Sequence, residues 1–247
     1  MKKVLSIALA IIFYLCAKAQ TIDKELNKEN GFTYVDLGLP SGTLWAARNV
    51  GASSITRYGN YFAWGETKAK GDYSWETYKF TTDNTAKGIS KYQWADKSTG
   101  SYWYRSGVFV GDNVIRLNSE DDVAHIIMGG RWHTPTSAQF YELIENTTQV
   151  WVKNFKDSNT SGCIFQSKIN KKAIFFPAAG NKNGMEFVDD GSMGFYWTSD
   201  MIGKKVTTVS MAETSEACLI CIYDGGNYFE YEPRCNGLSV RAVCELK

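Results

Sequence analysis

The sequence predicts an α+β fold in which a mostly antiparallel sheet is flanked by two helices and interrupted by long loop insertions. Many short runs of aromatic and β-branched residues alternate with Gly, Asn and Asp, which is typical of strands joined by tight turns. The 247 residues include 22 Gly, only 4 Pro and 14% aromatic residues, as expected of many short strands with aromatic packing. Two helical patterns lie between the first strands and the later ones, and this order indicates α+β rather than repeated βαβ units.

The N-terminus has the pattern of an export signal. Two lysines precede an apolar run at residues 4–16, and this run is shorter than the ~20 residues that a membrane-spanning helix needs. Residues 17–19, "AKA", then fit the small-x-small cleavage pattern. We therefore expect residues 1–19 to be a signal peptide and Gln20 to be the mature N-terminus. The protein is predicted to be exported to the periplasm, the cell surface or the medium.

The rest of the chain suits one large domain. Residues 20–30 are polar and lack a periodic pattern, so we expect a linker there, followed by a single domain over 31–247. The balance of 27 basic and 26 acidic residues does not favour nucleic acid or an anionic membrane as a partner. The mature chain has no further hydrophobic run long enough to span a membrane, so no transmembrane segment is predicted.

Strands are predicted at both ends of the domain. Phe32 to Leu37 suits a strand, the turn at 39–42 has Pro at its second position, and Thr43 to Ala47 suits the returning strand. An aromatic strand is expected within 58–67, whereas 68–112 is an irregular loop region. Further strands are expected within 173–180, 194–200, 205–211, 217–223 and 237–246.

Two helices are predicted in the middle of the chain. In the first, Ser119 with Asp122 makes a capping box and Gly129 lies where the helix would end. Its apolar residues at helical spacing predict one buried face, formed by Val123, Ala124, Ile127 and Met128. In the second, Thr136 with Gln139 makes a capping box, and the apolar stripe is Phe140, Leu143 and Ile144. The stretch "GGRWHTPTSAQ" at 129–139 is therefore interpreted as the corner that joins the two helices.

Six segments, spread in order over nearly the whole mature chain, carry a resemblance to a known family. They are "YVDLGLPSGTLWAARNVGA" (34–52), "YGNYFAWGET" (58–67), "EDDVAHIIMGGRWHTPTSAQFYEL" (120–143), "IFFPAAG" (174–180), "GFYWTSD" (194–200) and "GLSVRAV" (237–243). Together they resemble the Fibrobacter succinogenes major paralogous domain family, within the C-type-lectin-like and formylglycine-generating-enzyme-like fold group. The resemblance implies a secreted, compact C-type-lectin-like domain whose two helices flank a twisted sheet and whose termini lie close together. It implies no particular reaction.

The wider fold group suggests two kinds of chemistry, neither of which is expected here. Formylglycine generation rests on a reactive cysteine pair, and Cys235 and Cys244 are the only pair in the corresponding region, without a matching motif around them. Lectins of the group hold calcium with Glu-Pro-Asn and, later, Trp-Asn-Asp motifs. This chain has Glu-Pro-Arg at 232–234, after Trp-Thr-Ser-Asp at 197–200. Because arginine puts a cation where calcium needs an oxygen ligand, we expect no calcium site, and no other cofactor.

Histidine catalysis also has little support. His125 lies within the first predicted helix and His133 lies at its corner, and these are the only two histidines. His133 could exchange a proton near neutral pH, but no nucleophile motif such as G-x-S-x-G accompanies it. Without a nucleophile, a base and an orienting group in recognisable positions, the protein is predicted not to be an enzyme.

The cysteines are predicted to be structural. Of six cysteines, Cys16 would leave with the signal peptide, and an odd number would remain: Cys163, Cys218, Cys221, Cys235 and Cys244. Outside the cytoplasm disulfides persist, so we expect a bridge among the C-terminal strands and at least one free thiol. The C-x-x-C pair lies in an apolar, strand-like run, where residues three apart point to opposite faces. A structural role is therefore favoured over a redox or zinc site.

Aromatic residues supply the functional hypothesis. They crowd the irregular region at 68–112 and the segment before the last strand, and Tyr and Trp give large, rigid contact surfaces for sugars and proteins. We expect Trp103, Tyr104, Tyr228 and Tyr231 to contact a ligand, with Asn227 and Arg234 as polar partners. The predicted function is a secreted, adhesin-like domain that binds a glycan or a protein without calcium. The alternatives are an enzyme of the formylglycine-generating group, using Cys235 or Cys244, and a structural subunit of a surface assembly.

Overall fold

Helices and strands were assigned in a computed structural model, which describes residues 27–94, 104–106, 108–202 and 215–245. The α-helices of this part of the chain are α1 (Val123–Met128) and α2 (Ser137–Asn146). Its strands are β1 (Lys28–Glu29), β2 (Phe32–Val35), β3 (Leu44–Ala46), β4 (Tyr104–Arg105), β5 (Val108–Phe109), β6 (Thr147–Val152), β7 (Gly162–Ser167), β8 (Ala173–Pro177), β9 (Asn181–Asn183), β10 (Glu186–Val188), β11 (Met193–Trp197), β12 (Glu216–Tyr223), β13 (Gly226–Pro233) and β14 (Val243–Cys244). Short 3-10 helices span Trp75–Thr77, Ala86–Gly88, Ser119–Asp121 and Phe155–Asp157.

The strands form five small sheets, with the orders β1-β2-β3-β14, β6-β7-β8, β11-β12-β13, β4-β5 and β9-β10. Every pair within these sheets is antiparallel, which confirms the prediction of a mostly antiparallel α+β protein. The described strands do not combine into one sheet, because most of them have only two to six residues and pair with neighbours along the chain. No helix in the described ranges has the length and hydropathy needed to cross a membrane.

The two ends of the described chain meet in one sheet. Val243 of β14 pairs with Trp45 of β3, and Lys28 of β1 pairs with Thr33 of β2. Ordered structure therefore includes the last residues of the predicted linker. The predicted signal peptide, 1–19, and the first part of the linker lie outside the described residues, as does the strand predicted within 205–211.

The predicted strand over 237–246 is regular only at β14. Earlier residues form single bridges instead, Leu238 with Phe62 and Ser239 with Tyr196. Residues 234–244 are all buried, including the charged Arg241. The alternation in this stretch thus does not separate a buried face from an exposed one, because the stretch runs through the interior.

The aromatic strand expected within 58–67 is not formed. Phe62 makes one bridge, to Leu238, and both backbone and side-chain hydrogen bonds hold the segment. The ring N–H of Trp64 donates to the carbonyl oxygen of Thr198 at 2.8 Å, and the ring N–H of Trp197 donates to that of Phe62 at 2.8 Å. Buried indole groups thus add to the few backbone hydrogen bonds of this segment, such as the one from the N–H of Trp64 to the carbonyl oxygen of Arg234 at 2.8 Å.

Helix α1 begins differently from the prediction. Its N-cap is Asp122, whose side chain accepts hydrogen bonds from the backbone of Ala124 and His125, whereas Ser119 opens the preceding 3-10 helix. Ile127 was expected on the buried face but is 41% exposed, because so short a helix buries only the side that faces the core. The prediction for α2 is confirmed, since Thr136 and Gln139 form both bonds of a capping box.

Strand β12 separates the two largest hydrophobic clusters. Leu219 and Cys221 pack into one cluster, and Ile220 and Ile222 pack into the other. Both faces of the strand are covered, which explains why its sequence is a continuous apolar run.

Aromatic residues of the predicted loop region belong largely to the first cluster. Tyr73, Tyr78 and Tyr92 are buried, and the hydroxyl groups of all three donate internally, that of Tyr73 to the carbonyl oxygen of Tyr61. Tyr78 donates to the carbonyl oxygen of Trp64 at 2.8 Å, and Tyr92 donates to Asp121 Oδ2 at 2.7 Å. These three rings therefore belong to the core, because the region folds over its own aromatic side chains.

The expected disulfide is not found among the described cysteines. Cys163, Cys218, Cys221, Cys235 and Cys244 are all free and buried. Cys218 and Cys221 of the C-x-x-C pair lie on opposite faces of β12, as predicted for residues three apart in a strand. The thiols are packed as small hydrophobic side chains instead of forming bridges.

Candidate ligand-binding site

The β12–β13 hairpin carries most of the residues that the sequence marks as ligand contacts. Its strands pair along their whole length, up to Tyr223 opposite Gly226. Asp224 and Gly225 form the two-residue connection, a residue pair that favours tight hairpin turns. β13 is the outer strand of its sheet within the described ranges. The expected surface loop before the last strand is therefore an edge strand.

Strand alternation divides the expected contact residues between two faces. Tyr228 and Glu230 lie on the face that includes Cys221, whereas Asn227, Phe229 and Tyr231 lie on the opposite face. Tyr228 and Tyr231 thus cannot contact one ligand side by side. The expectation that both rings contact one ligand is corrected because side chains alternate between the two faces of a strand, whereas a loop imposes no such alternation.

Tyr228 is the accessible aromatic residue of the hairpin. Its side chain is 41% exposed, and its ring packs edge-on against Tyr223, with centroids 5.8 Å apart and planes at 69°. Partial burial, together with the Cys221 thiol and Glu230, raises the pKa of the Tyr228 phenol. The phenol therefore stays neutral at physiological pH and can both donate and accept hydrogen bonds.

Two carboxylates continue the same face along β13. Glu230 and Glu232 follow Tyr228 at strand spacing. Burial raises the pKa of Glu232, and the nearby carboxylates of Glu230 and Glu216 act in the same direction. Asn236 Nδ2 opposes this shift by donating to Glu232 Oε2 at 2.8 Å. The face thus combines an exposed ring with acceptors for hydroxyl groups.

The opposite face of β13 packs on α2. Phe229 stacks on Tyr141, with ring centroids 4.3 Å apart and planes at 20°. Asn227 Nδ2 donates to Gln149 Oε1, and the half-buried Tyr231 lies across from Cys218. The side chains of Asn227 and Phe229 are therefore engaged within the protein.

Arg234 does not fit the role of a polar ligand contact. It is fully buried, and its guanidinium group donates to the carbonyl oxygens of Lys91 at 3.0 Å and Tyr92 at 3.2 Å. Burial lowers its pKa, while the ring of Trp64 lies 5.6 Å from the guanidinium carbon. Arg234 therefore braces the aromatic core from inside. Charge alone suggested a surface position, and long-range packing overrides it.

The two remaining contact predictions fall at the edge of what the structure describes. Trp103 lies outside the described residues, and Tyr104 belongs to β4, whose backbone pairs with β5. Ligand contact by these two residues stays a prediction.

The corner between the helices forms a cleft of about 250 Å³ that both histidines line, together with Arg116 and Thr136. His133 Nδ1 lies 3.1 Å from the carbonyl oxygen of Arg131, and His125 Nδ1 lies 3.3 Å from that of Trp132. The hydrogen bonds of these rings within the described residues include no serine or cysteine. Neither imidazole ring of the cleft is thus paired with a hydroxyl or thiol nucleophile among the described residues.

Two buried aspartates organise this corner. Asp122 caps α1 and also accepts from Thr134, from the backbone at 2.8 Å and from the hydroxyl at 2.6 Å. Asp200 Oδ2 accepts from the backbone and hydroxyl of Ser137 at 2.8 Å and 2.7 Å, and Arg116 donates to its Oδ1 at 2.7 Å. Asp200 is the last residue of the Trp-Thr-Ser-Asp segment. Both of its carboxylate oxygens accept hydrogen bonds within the protein, from Ser137 at the start of α2 and from Arg116. These contacts support the interpretation of 129–139 as the corner that joins the two helices.

The cysteine pair considered for catalysis is poorly suited to nucleophilic attack. Cys235 and Cys244 are buried, and burial raises the pKa of each thiol to about 12. The thiolate is the reactive form, and a thiol with this pKa holds its proton at neutral pH.

No protein-family model, no curated protein and no solved structure matches the chain.

A second polar surface was not predicted from the sequence. The loop from Arg48 to Gly59 separates two clefts, of about 260 and 470 Å³. Arg57 lines the larger cleft and Arg48 lines the smaller one. No residue pattern within 48–59 indicates this surface, because residues distant in sequence complete both clefts.

Proposed function

We propose that the protein is an exported, non-enzymatic domain that binds a glycan, without calcium, through the face of the β12–β13 hairpin that carries Tyr223, Tyr228 and Glu230. The observation that carries the proposal is the exposed ring of Tyr228, which packs against Tyr223 beside a carboxylate. An aromatic ring offers a flat surface for the C–H face of a sugar. A carboxylate accepts hydrogen bonds from sugar hydroxyl groups. Because the other face of β13 is engaged with α2, ligand contact is assigned to this face.

We further propose that the domain has the C-type-lectin-like fold and belongs to the family that its segments resemble. The α+β composition, the antiparallel pairing and the meeting of β1 and β14 in one sheet support this assignment. Export is proposed from the N-terminal pattern. Mass spectrometry of the protein from its native cells should find Gln20 at the N-terminus, whereas a chain that retains residues 1–19 would contradict export by cleavage.

The binding proposal is tested with a glycan array probed by the mature protein. Tyr228→Ala should weaken binding to the positive glycans by about tenfold, the loss expected when one stacking ring is removed. Tyr228→Phe keeps the ring and should retain most of the affinity. Ile126→Ala is the control, because Ile126 is 52% exposed and lies on α1, which is not part of the hairpin.

The same experiment tests the position of the site, the independence from calcium and the class of ligand. Binding that is unchanged in Tyr228→Ala would contradict the assignment of the site, and binding lost on adding a calcium chelator would contradict calcium independence. If no glycan on the array binds, the protein is instead tested for specific capture of an envelope protein. Capture that Tyr228→Ala abolishes would show that the ligand is a protein and not a glycan.

A further inference from the structure

The loop from Arg48 to Gly59 is held in a fixed shape. At its neck, the backbone N–H of Asn60 donates to the carbonyl oxygen of Val50 at 3.0 Å. The buried Asn49 bridges the loop by donating from Nδ2 to the carbonyl oxygen of Tyr58 at 2.8 Å. Gly59 has a φ of +81°, and a Cβ there would lie 2.5 Å from the carbonyl oxygen of Val50. A side chain at residue 59 would therefore force the neck open.

This loop carries two clefts that share a wall. Gly51, Ala52 and Ser53 line both of them. The larger cleft, of about 470 Å³, has hydroxyl groups from Ser53, Thr56 and Thr160, within the usual size range of small-ligand sites. The Thr160 hydroxyl donates to the carbonyl oxygen of Thr56 at 3.2 Å, which ties the far wall to the loop.

The charge of the two clefts is unbalanced. No carboxylate is among the residues that line either cleft. Arg57 is exposed and forms neither an ion pair nor a hydrogen bond through its side chain with the described residues. Arg48 donates one N–H to the carbonyl oxygen of Ser53 at 2.6 Å, and a guanidinium group has further donors.

Other surface arginines of the described chain differ in this respect. Arg116 donates to Asp200 at 2.7 Å, and Arg131 lies 4.0 Å from Glu29. The carboxylate that acts on the loop is Asp190, which adds to burial in raising the pKa of Tyr58, but it does not line either cleft. The loop thus presents two cationic groups whose counter-charge is not supplied locally.

We propose that this loop is a second binding site, for an acidic saccharide, with Arg57 as the main contact to its sulfate or carboxylate group. Guanidinium groups bind such planar or multivalent anions with paired, charge-assisted hydrogen bonds. The hydroxyl-lined wall of the larger cleft suits the hydroxyl groups of the sugar ring. The near-balanced charge of the whole chain makes a local sugar site a better fit than an extended polyanion. The site is separate from the Tyr228 face and does not depend on it.

Calorimetric titration of the mature protein tests the proposal with four probes. They are an oligogalacturonate, a sulfated galactose oligomer, the neutral galactose oligomer and inorganic sulfate. We expect one of the two acidic oligosaccharides to bind at least about tenfold more tightly than the neutral one, and more weakly at high ionic strength. Preference between the two identifies the carboxylate or the sulfate as the recognised group.

Arg57→Gln should reduce this affinity by about tenfold. Arg131→Gln is the matched control, because Arg131 is also an exposed arginine but has Glu29 nearby, and this variant should bind the acidic saccharide as tightly as the original protein does. Tyr228→Ala should also leave this binding intact, so failure of the hairpin site and failure of the loop site are distinguishable. The amide signals of Ala52 and Ser53 should shift in NMR spectra as the acidic saccharide is added.

Several results would overturn the inference. They are equal binding of the neutral and acidic oligomers, an unchanged affinity in Arg57→Gln, and binding that leaves the Ala52 and Ser53 signals in place. If inorganic sulfate binds as tightly as the sulfated oligomer, the proposal that the ligand is a saccharide is wrong.

Discussion

Arg241 donates its Nε–H to Oδ1 of Asn49 at 2.8 Å, across 192 residues of sequence, and both side chains are buried. Its Nη2 donates to the carbonyl oxygen of Phe175 at 2.9 Å, and its guanidinium carbon lies 4.3 Å from the ring centre of Phe176. Burial lowers the pKa of Arg241 to about 10, so the group is still charged at neutral pH. One buried cation therefore connects the last part of the chain to the loop that carries Arg57.

Arg241→Met should lower the free energy of unfolding by about 3 kcal/mol or more. The change removes the donors for Asn49 and Phe175 and leaves buried acceptors without partners, at about 1–3 kcal/mol each. Urea denaturation measures the effect. Arg131→Met, at a side chain that is 50% exposed, should stay within about 0.5 kcal/mol of the original protein. Similar losses for both variants would show that Arg241 does not brace the core.

Asp122→Ala should destabilise the protein by about 2–3 kcal/mol. It removes the N-cap of α1 and leaves the buried backbone N–H and hydroxyl of Thr134 without their acceptor. Thermal unfolding followed by circular dichroism checks this value. Ser119→Ala should change the free energy of unfolding by no more than about 0.5 kcal/mol, since Ser119 does not cap the helix. The reverse order would restore Ser119 as the cap that the sequence pattern indicates.

Tyr141 and Phe229 should show a coupling energy of about 1 kcal/mol in a double-mutant cycle, because their rings stack at 4.3 Å. The cycle compares Tyr141→Ala, Phe229→Ala and the double variant in urea denaturation. Phe229→Ala should leave glycan binding intact once the protein is folded, whereas Tyr228→Ala should weaken it. Additive effects within about 0.3 kcal/mol would mean that this face of β13 is not anchored to α2.

The buried thiols should make the protein less stable in alkaline solution. Burial raises the pKa of Cys163 and of Cys218 from 9.0 to about 12. Below about pH 8 both the folded and the unfolded state hold these protons, and the thiols cause no pH dependence. Between about pH 9 and about pH 12 mainly the unfolded state loses them, so stability falls as the pH rises, by up to about 1.4 kcal/mol per pH unit for each thiol.

Urea denaturation at several pH values between about 8 and 10 measures this slope. Cys163→Ala should have a shallower slope than the original protein, because one titrating thiol is removed. A thiol reagent at neutral pH should label Cys163 only after unfolding. An unchanged slope in Cys163→Ala, or rapid labelling of Cys163 in the native state, would contradict the burial of this thiol.

Local patterns predicted those parts of the fold that depend on a few neighbouring residues. The capping box of Thr136 and Gln139 is complete within four positions. The continuous apolar run of β12 is typical of a strand that is covered on both faces. β6 was missed because it follows α2 directly, at Thr147, without a Gly or Pro to mark the boundary. The hairpin signal at Asp224-Gly225 was present, but the polar residues of β13 made that segment resemble a loop.

The candidate sites were less predictable, because they depend on pairing and burial across long distances. Tyr228 could be chosen as an aromatic near the last strand, but only the register with β12 shows that Tyr231 faces the other way. Arg234 and Arg57 look alike in sequence. The first lies inside the aromatic core and the second beside an open cleft, and this difference comes from contacts that no short window contains.

The buried course of residues 234–244 has a consequence for how the protein is made. β14 completes the sheet by pairing with β3, and Arg241 reaches back to Asn49, so β3 lacks its second partner strand until the ribosome has added this stretch. Contacts so distant in sequence form slowly. On a nascent chain this sheet therefore stays incomplete until residues 234–244 have been made, and an incompletely folded chain is the state that the proposed export through a secretion channel would need.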